Sequence, residues 1–404
     1  MRASFTLALV LALGCGDDDD RADVDAFVAD SAMPMDASSD GGSDDDAFIP
    51  DGGPEVCVRE AAPADRARFV VVAHPFVPNY EVLALDTDGA LTRPGTTFLM
   101  GKAAEAPIVF TADGEIGIVP QDDGSLGVFR IDASGDVDVV HASYEGEFYA
   151  SRVVMDPDGN TAWVLDSQWR ESGGGLYRIE FDCDGRIVNE TMVAPSRLAY
   201  GMGFEADGSA IIAAKDILST TLGPDVHRVD LTGPTVDASA EVFADDDWIV
   251  AGFDLTASHA FLGDNAGFSA TPNSVAVVGL GETALQELQT VPVEDPASIL
   301  ASPFDDVVLV VSAFGDAIFE FGYDPGEPEP LTARGELSYT TRGPALPTVG
   351  TMLRRGSLEG LAFVAENVAV RRIQFEGGGV VTDLGPFELG EGLESIAGAI
   401  GVQP

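Results

Sequence analysis

From about residue 60 onward the chain alternates short apolar runs with Gly, Asp and Pro clusters, the pattern of brief strands divided by tight turns. One phrase recurs: an apolar strand, an acidic turn, then a second apolar strand. It reads Ile108-Val109-Phe110-Thr111-Ala112-Asp113-Gly114, then Val153-Val154-Met155-Asp156-Pro157-Asp158-Gly159, then Met202-Gly203-Phe204-Glu205-Ala206-Asp207-Gly208. Looser copies are Ala251–Leu255, Ile299–Pro303 and Met352–Gly356. With Gly114, Gly159, Gly208, Ala257, Asp306 and Gly356 as marks, the steps are 45, 49, 49, 49 and 50 residues. Inside each period the turn leads to a strand such as Thr161–Leu165, Ala210–Ala214 or Val307–Val311. A variable loop follows, then a strand such as Leu176–Phe181, Val226–Leu231 or Ala317–Phe321, a Gly or Pro turn, and a last strand. Four strands in such a period predict a propeller blade in an all-β chain. Only Thr283–Gln289 hints at a helical turn.

The two ends of this pattern predict how a ring closes. Phe69-Val70-Val71-Val72-Ala73 reads as a second strand, which leaves blade 1 without an innermost one. Glu394–Ile400 resembles Ala297–Pro303, so Ser395–Ile400 is expected to pair inside blade 1; Glu55–Ala61 is the alternative source. Six marked repeats and this composite blade make a seven-bladed β-propeller, and closure removes the sheet edges that would invite aggregation.

Met155–Val164 (MDPDGNTAWV) and Gly175–Asp182 (GLYRIEFD) resemble the strand–turn–strand phrase of the YVTN/lactonase-like seven-bladed propeller superfamily. The resemblance covers roughly residues 65–404 and implies the fold. Propellers with this phrase include enzymes and binding scaffolds, so it leaves function open.

Ahead of the repeats stands Arg2, followed by Phe5–Gly14 (FTLALVLALG), an apolar run of ten. That run is too short to span a bilayer as a helix and suits a signal h-region. Ala12-Leu13-Gly14-Cys15 resembles the bacterial lipobox with its first two positions exchanged. The resemblance implies cleavage after Gly14 and acyl chains on Cys15, each buried CH₂ contributing about 0.8 kcal/mol to anchoring. Residues 16–53 carry thirteen Asp and one Arg. Such dense like charge predicts a disordered acidic tether. The expected organisation is a signal peptide at 1–14, a tether at 15–53 and the propeller at 54–404. The protein would be lipid-anchored in the cell envelope, at the outer membrane, as a monomer.

The formal net charge of −47 excludes nucleic acid as a partner, because phosphate binding needs clustered Lys and Arg. Membrane contact is expected only through the lipid anchor, since an anionic bilayer would repel this surface.

Motifs of hydrolytic or metal chemistry are missing: the sequence holds no G-x-S-x-G, C-x-x-C or H-E-x-x-H. His74, His141, His227 and His259 fall in different blades and at different strand positions, so no metal or cofactor is expected. Asp86–Gly89, Asp156–Gly159 and Asp182–Gly185 lack the third acidic position and the distal Glu of a calcium loop. They read as hairpin turns.

Propeller sites lie on the face that carries the loops between second and third strands. Each second strand here ends near a polar residue: His74, Gln121, Asp166, Lys215, Asp264, Ser312 and Asn367. The candidate ligand-binding set is Arg152, Asp166, Trp169, Lys215, Asp264, Asn265 and Asn367. Trp169 and Arg170, with Phe268 across the face, could form a platform. The expected function is non-enzymatic binding of an envelope protein, peptide or glycan. The alternative is a lactonase-like or other hydrolytic propeller, which would need Asp166, Asp264 and Glu366 to converge on one point.

Lipidation of Cys15 leaves Cys57 and Cys183, an even pair in an exported, oxidising setting. A Cys57–Cys183 disulfide is expected. It requires residues 54–66 to run across one face of the ring, because the two cysteines belong near blades 1 and 3.

Overall fold

Second strands are apolar through their middles and buried to their ends because neighbouring blades cover both of their faces. In the computed structural model this is plainest at β1 (Arg68–Ala73), which is buried throughout. Successive side chains of a strand point to opposite faces. Phe69, Val71 and Ala73 accordingly pack with Ile108, Phe110, Val119 and Phe129 of blade 2. Val70 and Val72 pack with Leu361, Phe363 and Val370 of blade 7. Each remaining pair of adjacent blades shares a cluster of the same kind.

The structure describes residues 55–404 except 64, 75–76, 168–173, 216–224, 244–249, 265–272, 314–316, 340–348 and 390–397. The signal run, Cys15 and the acidic tether lie outside the described residues. Gly52–Pro404 form one compact unit. The described strands are β1 to β29, grouped in seven antiparallel sheets. Blade 2 is β5 (Val109–Phe110), β6 (Ile116–Pro120), β7 (Leu126–Ile131) and β8 (Val137–Tyr144). Blade 3 is β9 (Arg152–Met155), β10 (Thr161–Asp166), β11 (Gly175–Phe181) and β12 (Ile187–Ala194). Blade 4 runs from β13 (Arg197–Phe204) and β14 (Ala210–Lys215) to β16 (Thr235–Ala240). Blade 5 runs from β17 (Val250–Leu255) and β18 (His259–Asp264) through β19 (Ser274–Leu280) to β20 (Leu285–Pro292). Blade 6 runs from β21 (Pro296–Ala301) and β22 (Val307–Ser312) to β24 (Leu331–Ser338). Blade 7 runs from β25 (Gly350–Met352) and β26 (Leu361–Glu366) to β28 (Val380–Glu388). The first strand of each sheet is innermost.

Blade 1 is composite. Its innermost strand is the C-terminal β29 (Ala399–Val402), which pairs antiparallel with β1 through Val70↔Val402, Val72↔Ile400 and Ala73↔Ala399. Beyond β1 comes β2 (Asn79–Leu85), against which β3 (Leu91–Thr92) and β4 (Thr97–Leu99) pair as two pieces of an outer strand. Closure by the C-terminus is therefore as expected: the described pairing covers Ala399–Val402, and Ser395–Ala397 lie outside the described residues. Register sets the faces. Ile400 and Val402 must face the blade 7 cluster while Ala399 faces the blade 2 cluster. Between them Gly401 lets blade 2 come close: a Cβ there would sit 2.2 Å from the Ile108 carbonyl oxygen.

The helical hint at Thr283–Gln289 is corrected by β20, an outer strand paired with β19 along its length. Its Leu, Glu and Gln residues favour helix in isolation. Pairing with an apolar neighbour strand outweighs that preference.

First-to-second and third-to-fourth strand turns share one side of the ring, called here the turn face. The Asp-Gly sequences do turn the chain there. Asp156 Oδ1 accepts from the Asn160 and Thr161 amides at 2.8 and 3.2 Å, and Gly159 has φ +67°.

Residues 55–67 cross this face as a strap. The Cys57 amide donates to the Phe181 carbonyl in blade 3 at 2.9 Å, and Cys57 is disulfide-bonded to Cys183. Arg59 pairs with Asp113 of blade 2 at 3.1 Å and donates to the Asp182 carbonyl at 2.7 Å. The Ala62 amide reaches the Ala112 carbonyl at 2.9 Å before the chain enters β1. The disulfide thus closes a separation of 126 residues by the path the sequence required. Glu55–Ala61, the alternative closing strand, is part of this strap.

Cys57→Ser should lower the stability of the full-length chain by about 2–4 kcal/mol. It should also open the strap to proteolysis between Glu55 and Ala62 while the ring stays folded. Thermal unfolding with limited proteolysis tests this, and a variant unchanged in both would contradict the strap's role.

Candidate functional site on the loop face

Second strands all end on the side opposite the strap. Asp166, Lys215, Asp264, Ser312 and Glu366 are the last residues of β10, β14, β18, β22 and β26. Gln121 and His74 follow directly on β6 and β1. The structure thus brings these positions to one face of the ring, one per blade. Asn367 sits beside Glu366 in a tight turn with φ +50°. Trp169, Arg170, Asn265 and Phe268 lie outside the described residues, and only the backbone of Lys215 is described.

These polar groups do not stand in open water. Asp166 and Glu366 are fully buried, and Asp264 and Asn367 are each 3% exposed. Asp166 accepts from the Tyr149 amide at 3.0 Å, which holds the linker running into β9. Gln121 donates to the Ala142 carbonyl at 2.8 Å and accepts from the Ser125 hydroxyl at 2.6 Å. Ser312 donates to the Glu294 carbonyl at 2.6 Å. Glu366 pairs with Arg371 at 3.1 Å, and Arg371 also holds Asp383 and the Ser338 carbonyl of blade 6. Strand ends are used as pins that fix the linkers between blades. Two of the three carboxylates a hydrolytic centre would have to bring together are engaged in this way. Among the described residues no group of three His, Cys, Asp or Glu is placed to hold a metal ion.

Two of the histidines are likewise engaged by the fold, one within its own blade and one across to the next. His227 Nε2 lies 2.9 Å from the Ala214 carbonyl, and His259 Nδ1 lies 2.7 Å from the Tyr323 hydroxyl.

What remains at the channel mouth is a smaller cluster. Arg152 opens β9, and its guanidinium donates to the carbonyl of Ala251 on β17, two blades away. It therefore lies across the loop-face end of the channel, over β13. Burial draws this guanidinium down to about 10, with Tyr200 opposing the shift. Tyr200, on β13, hydrogen-bonds Ser167, and burial raises its phenol. The Ser151 and Ser167 hydroxyls are 2.5 Å apart.

Glu105 occupies the same rim, in the linker to β5. It stands between Ala104, whose amide donates to the Pro120 carbonyl, and Ile108, whose amide donates to the Ile400 carbonyl. It keeps contact with solvent, yet the surrounding protein displaces enough water to raise its carboxyl above the ordinary range. Arg152 was legible in the sequence as a cation of this face beside Lys215. Glu105, Tyr200 and the two serines were not legible there, because they lie in linkers and a strand irregularity rather than in the repeating phrase. A charged residue two positions before Pro107, among lead-ins that are otherwise small or neutral, was the available signal for Glu105.

No protein-family model matches this chain, and no curated protein matches it. Solved structures do. A Lactobacillus plantarum protein superposes with a TM-score of 0.57 at 12% identity, over 84% of this chain and 100% of its own. The periplasmic gluconolactonase of Pseudomonas aeruginosa superposes at 0.53 and 14% identity, over 82% and 98%. A Bacteroides fragilis protein provisionally named a 6-phosphogluconolactonase gives 0.55 at 12%, over 85% and 99%. The chain is a seven-bladed β-propeller. At these identities the likeness reaches the fold and no further, so the residues of the site must carry any functional reading.

Asp166→Ala should cost about 1–3 kcal/mol, because the fully buried Asp166 carboxylate is lost and the part-buried Tyr149 amide loses its acceptor. Thermal unfolding measures this, and an unchanged midpoint would contradict the role of Asp166 as a pin.

Proposed function

We propose that this chain is an exported bacterial lipoprotein, anchored through Cys15, whose propeller binds an envelope glycan on its loop face without chemistry. The observation that carries this reading is the strap. Cys57 is held on the turn face, so the chain before it leaves the ring opposite the loops. Cys15 and Cys57 are 57 − 15 = 42 positions apart. A flexible acidic tether of that length, as the composition of residues 16–53 predicts, would span about 35 Å. An attachment that starts from the turn face leaves the loop face free of the attachment point. The disulfide agrees with export, since such bonds persist in oxidising compartments. Among a protein, a peptide and a glycan, the glycan is favoured by the hydroxyls of Ser151, Ser167 and Tyr200 near the Arg152 guanidinium.

A hydrolytic reading is the second one, and Glu105 favours it: a solvent-reached carboxyl with a raised pKa at a channel mouth suits general acid–base work. Engagement of Asp166 and Glu366 as pins weighs against it, as does the lack of a nucleophile motif.

The test uses the full-length chain and a cell-surface polysaccharide fraction. Replacing residues 168–173 with a Gly-Ser segment should abolish capture of polysaccharide, while Phe304→Ser on the turn face leaves it intact. Cys15→Ser should move the protein from the membrane to the soluble fraction without changing capture. Capture indifferent to the 168–173 loop, or full membrane retention of Cys15→Ser, would overturn the proposal.

A further inference from the structure

A guanidinium set across a channel needs an explanation in a chain this acidic. Lys and Arg total only 21 against 68 Asp and Glu. Most described arginines are paired: Arg59 with Asp113, Arg228 with Glu205, Arg354 with Asp254, Arg371 with Glu366 and Asp383. Arg152 departs from this. Among the described residues no carboxylate lies within ion-pair distance of it, and its one hydrogen bond goes to a backbone carbonyl. A guanidinium carries five N–H donors in a planar fork, so most of its capacity is left unused there. Arg152 is only partly buried, so those unused donors stay open to an incoming group, and an anion whose oxygens match the fork is the group they suit best.

The surroundings limit which anion fits. Tyr200, Ser151 and Ser167 place hydroxyls next to the cation, and these suit a ligand that carries hydroxyls of its own. The planar fork matches the two oxygens of a carboxylate. The field of the whole protein opposes every anion and opposes a dianion more strongly, which favours a single charge.

Resting on the glycan-binding reading above, we propose that the loop-face end of the channel is an acidic-sugar subsite, in which Arg152 takes the carboxylate and the Tyr200–Ser167–Ser151 hydroxyls take sugar hydroxyls. A uronate-type residue at the end or edge of a glycan is the ligand class this describes. Asp166 and Glu366 have no part in it.

The experiment uses the full-length protein with three probes: glucuronate, glucose and glucose 6-phosphate. Glucose lacks the carboxylate, and glucose 6-phosphate replaces it with a dianion. Titration calorimetry should show glucuronate binding at least ten-fold tighter than either of the others, weakening as salt rises. Arg152→Gln should abolish glucuronate binding, Arg152→Lys should retain part of it, and Tyr200→Phe should weaken it several-fold with the carboxylate preference kept. Thermal unfolding of each variant checks the fold, and Tyr200→Phe serves if Arg152→Gln does not fold. Binding of glucuronate unaffected by either substitution overturns the subsite. So does a preference for glucose or glucose 6-phosphate, or no binding of glucuronate at all. If polysaccharide capture still depends on the 168–173 loop while glucuronate fails, the subsite alone is wrong. If capture is also lost from that face, the wider reading falls with it.

Discussion

The hydrophobic contacts that hold this ring lie between blades rather than within them. One face of β1 packs on blade 2 and the other on blade 7, and the same sharing repeats around the circle. Each fully buried Val, Leu, Ile or Phe in such a cluster contributes about 1.5–3 kcal/mol, but only when the adjacent blade is present. Everything else therefore depends on closing the circle. The four residues of β29 do that, supplying Ile400 and Val402 to one interface and Ala399 to the other.

Closure gives the molecule two unlike faces. The turn face is tied down by the strap, with Arg59 spanning blades 2 and 3 and the disulfide fixing its start. On the loop face, buried Asp166, Gln121, Ser312 and Glu366 secure the linkers between blades. That leaves a firm frame around a channel mouth where Arg152, Glu105 and Tyr200 stand at or near solvent. A frame built this way can carry loops that vary freely, which is how one fold serves many functions.

Much of the architecture was legible in the sequence because it repeats. Phe69–Ala73 announced a second strand by its continuous apolar run, and Asp156–Gly159 announced its turn by residue types suited to a positive φ. Cys57 and Cys183 could be paired because the export expected from the N-terminal run would leave few other fates for two cysteines. The end of β29 was less legible: the pattern carried the closing strand to Ile400, whereas pairing runs on to Val402 across Gly401, whose missing side chain lets blade 2 approach. At Thr283–Gln289 local preference pointed one way and sheet pairing another.

The loop face was legible as a ring and opaque as chemistry. A polar residue at each strand end is equally consistent with a ligand contact and a structural pin, and hydrogen-bond partners such as the Tyr149 amide are invisible in sequence. Glu105 and Tyr200 escaped because they lie where the repeat lapses. The account's central claim is that the blades stand or fall together through β29. Native-state hydrogen exchange on the full-length protein tests it most directly. The amides of Val70, Val71 and Val72 in β1 should exchange as slowly as those of Val308, Leu309 and Val310 in β22, all through one global opening. Markedly faster exchange in β1, as a unit that opens independently while blade 6 stays protected, would contradict it.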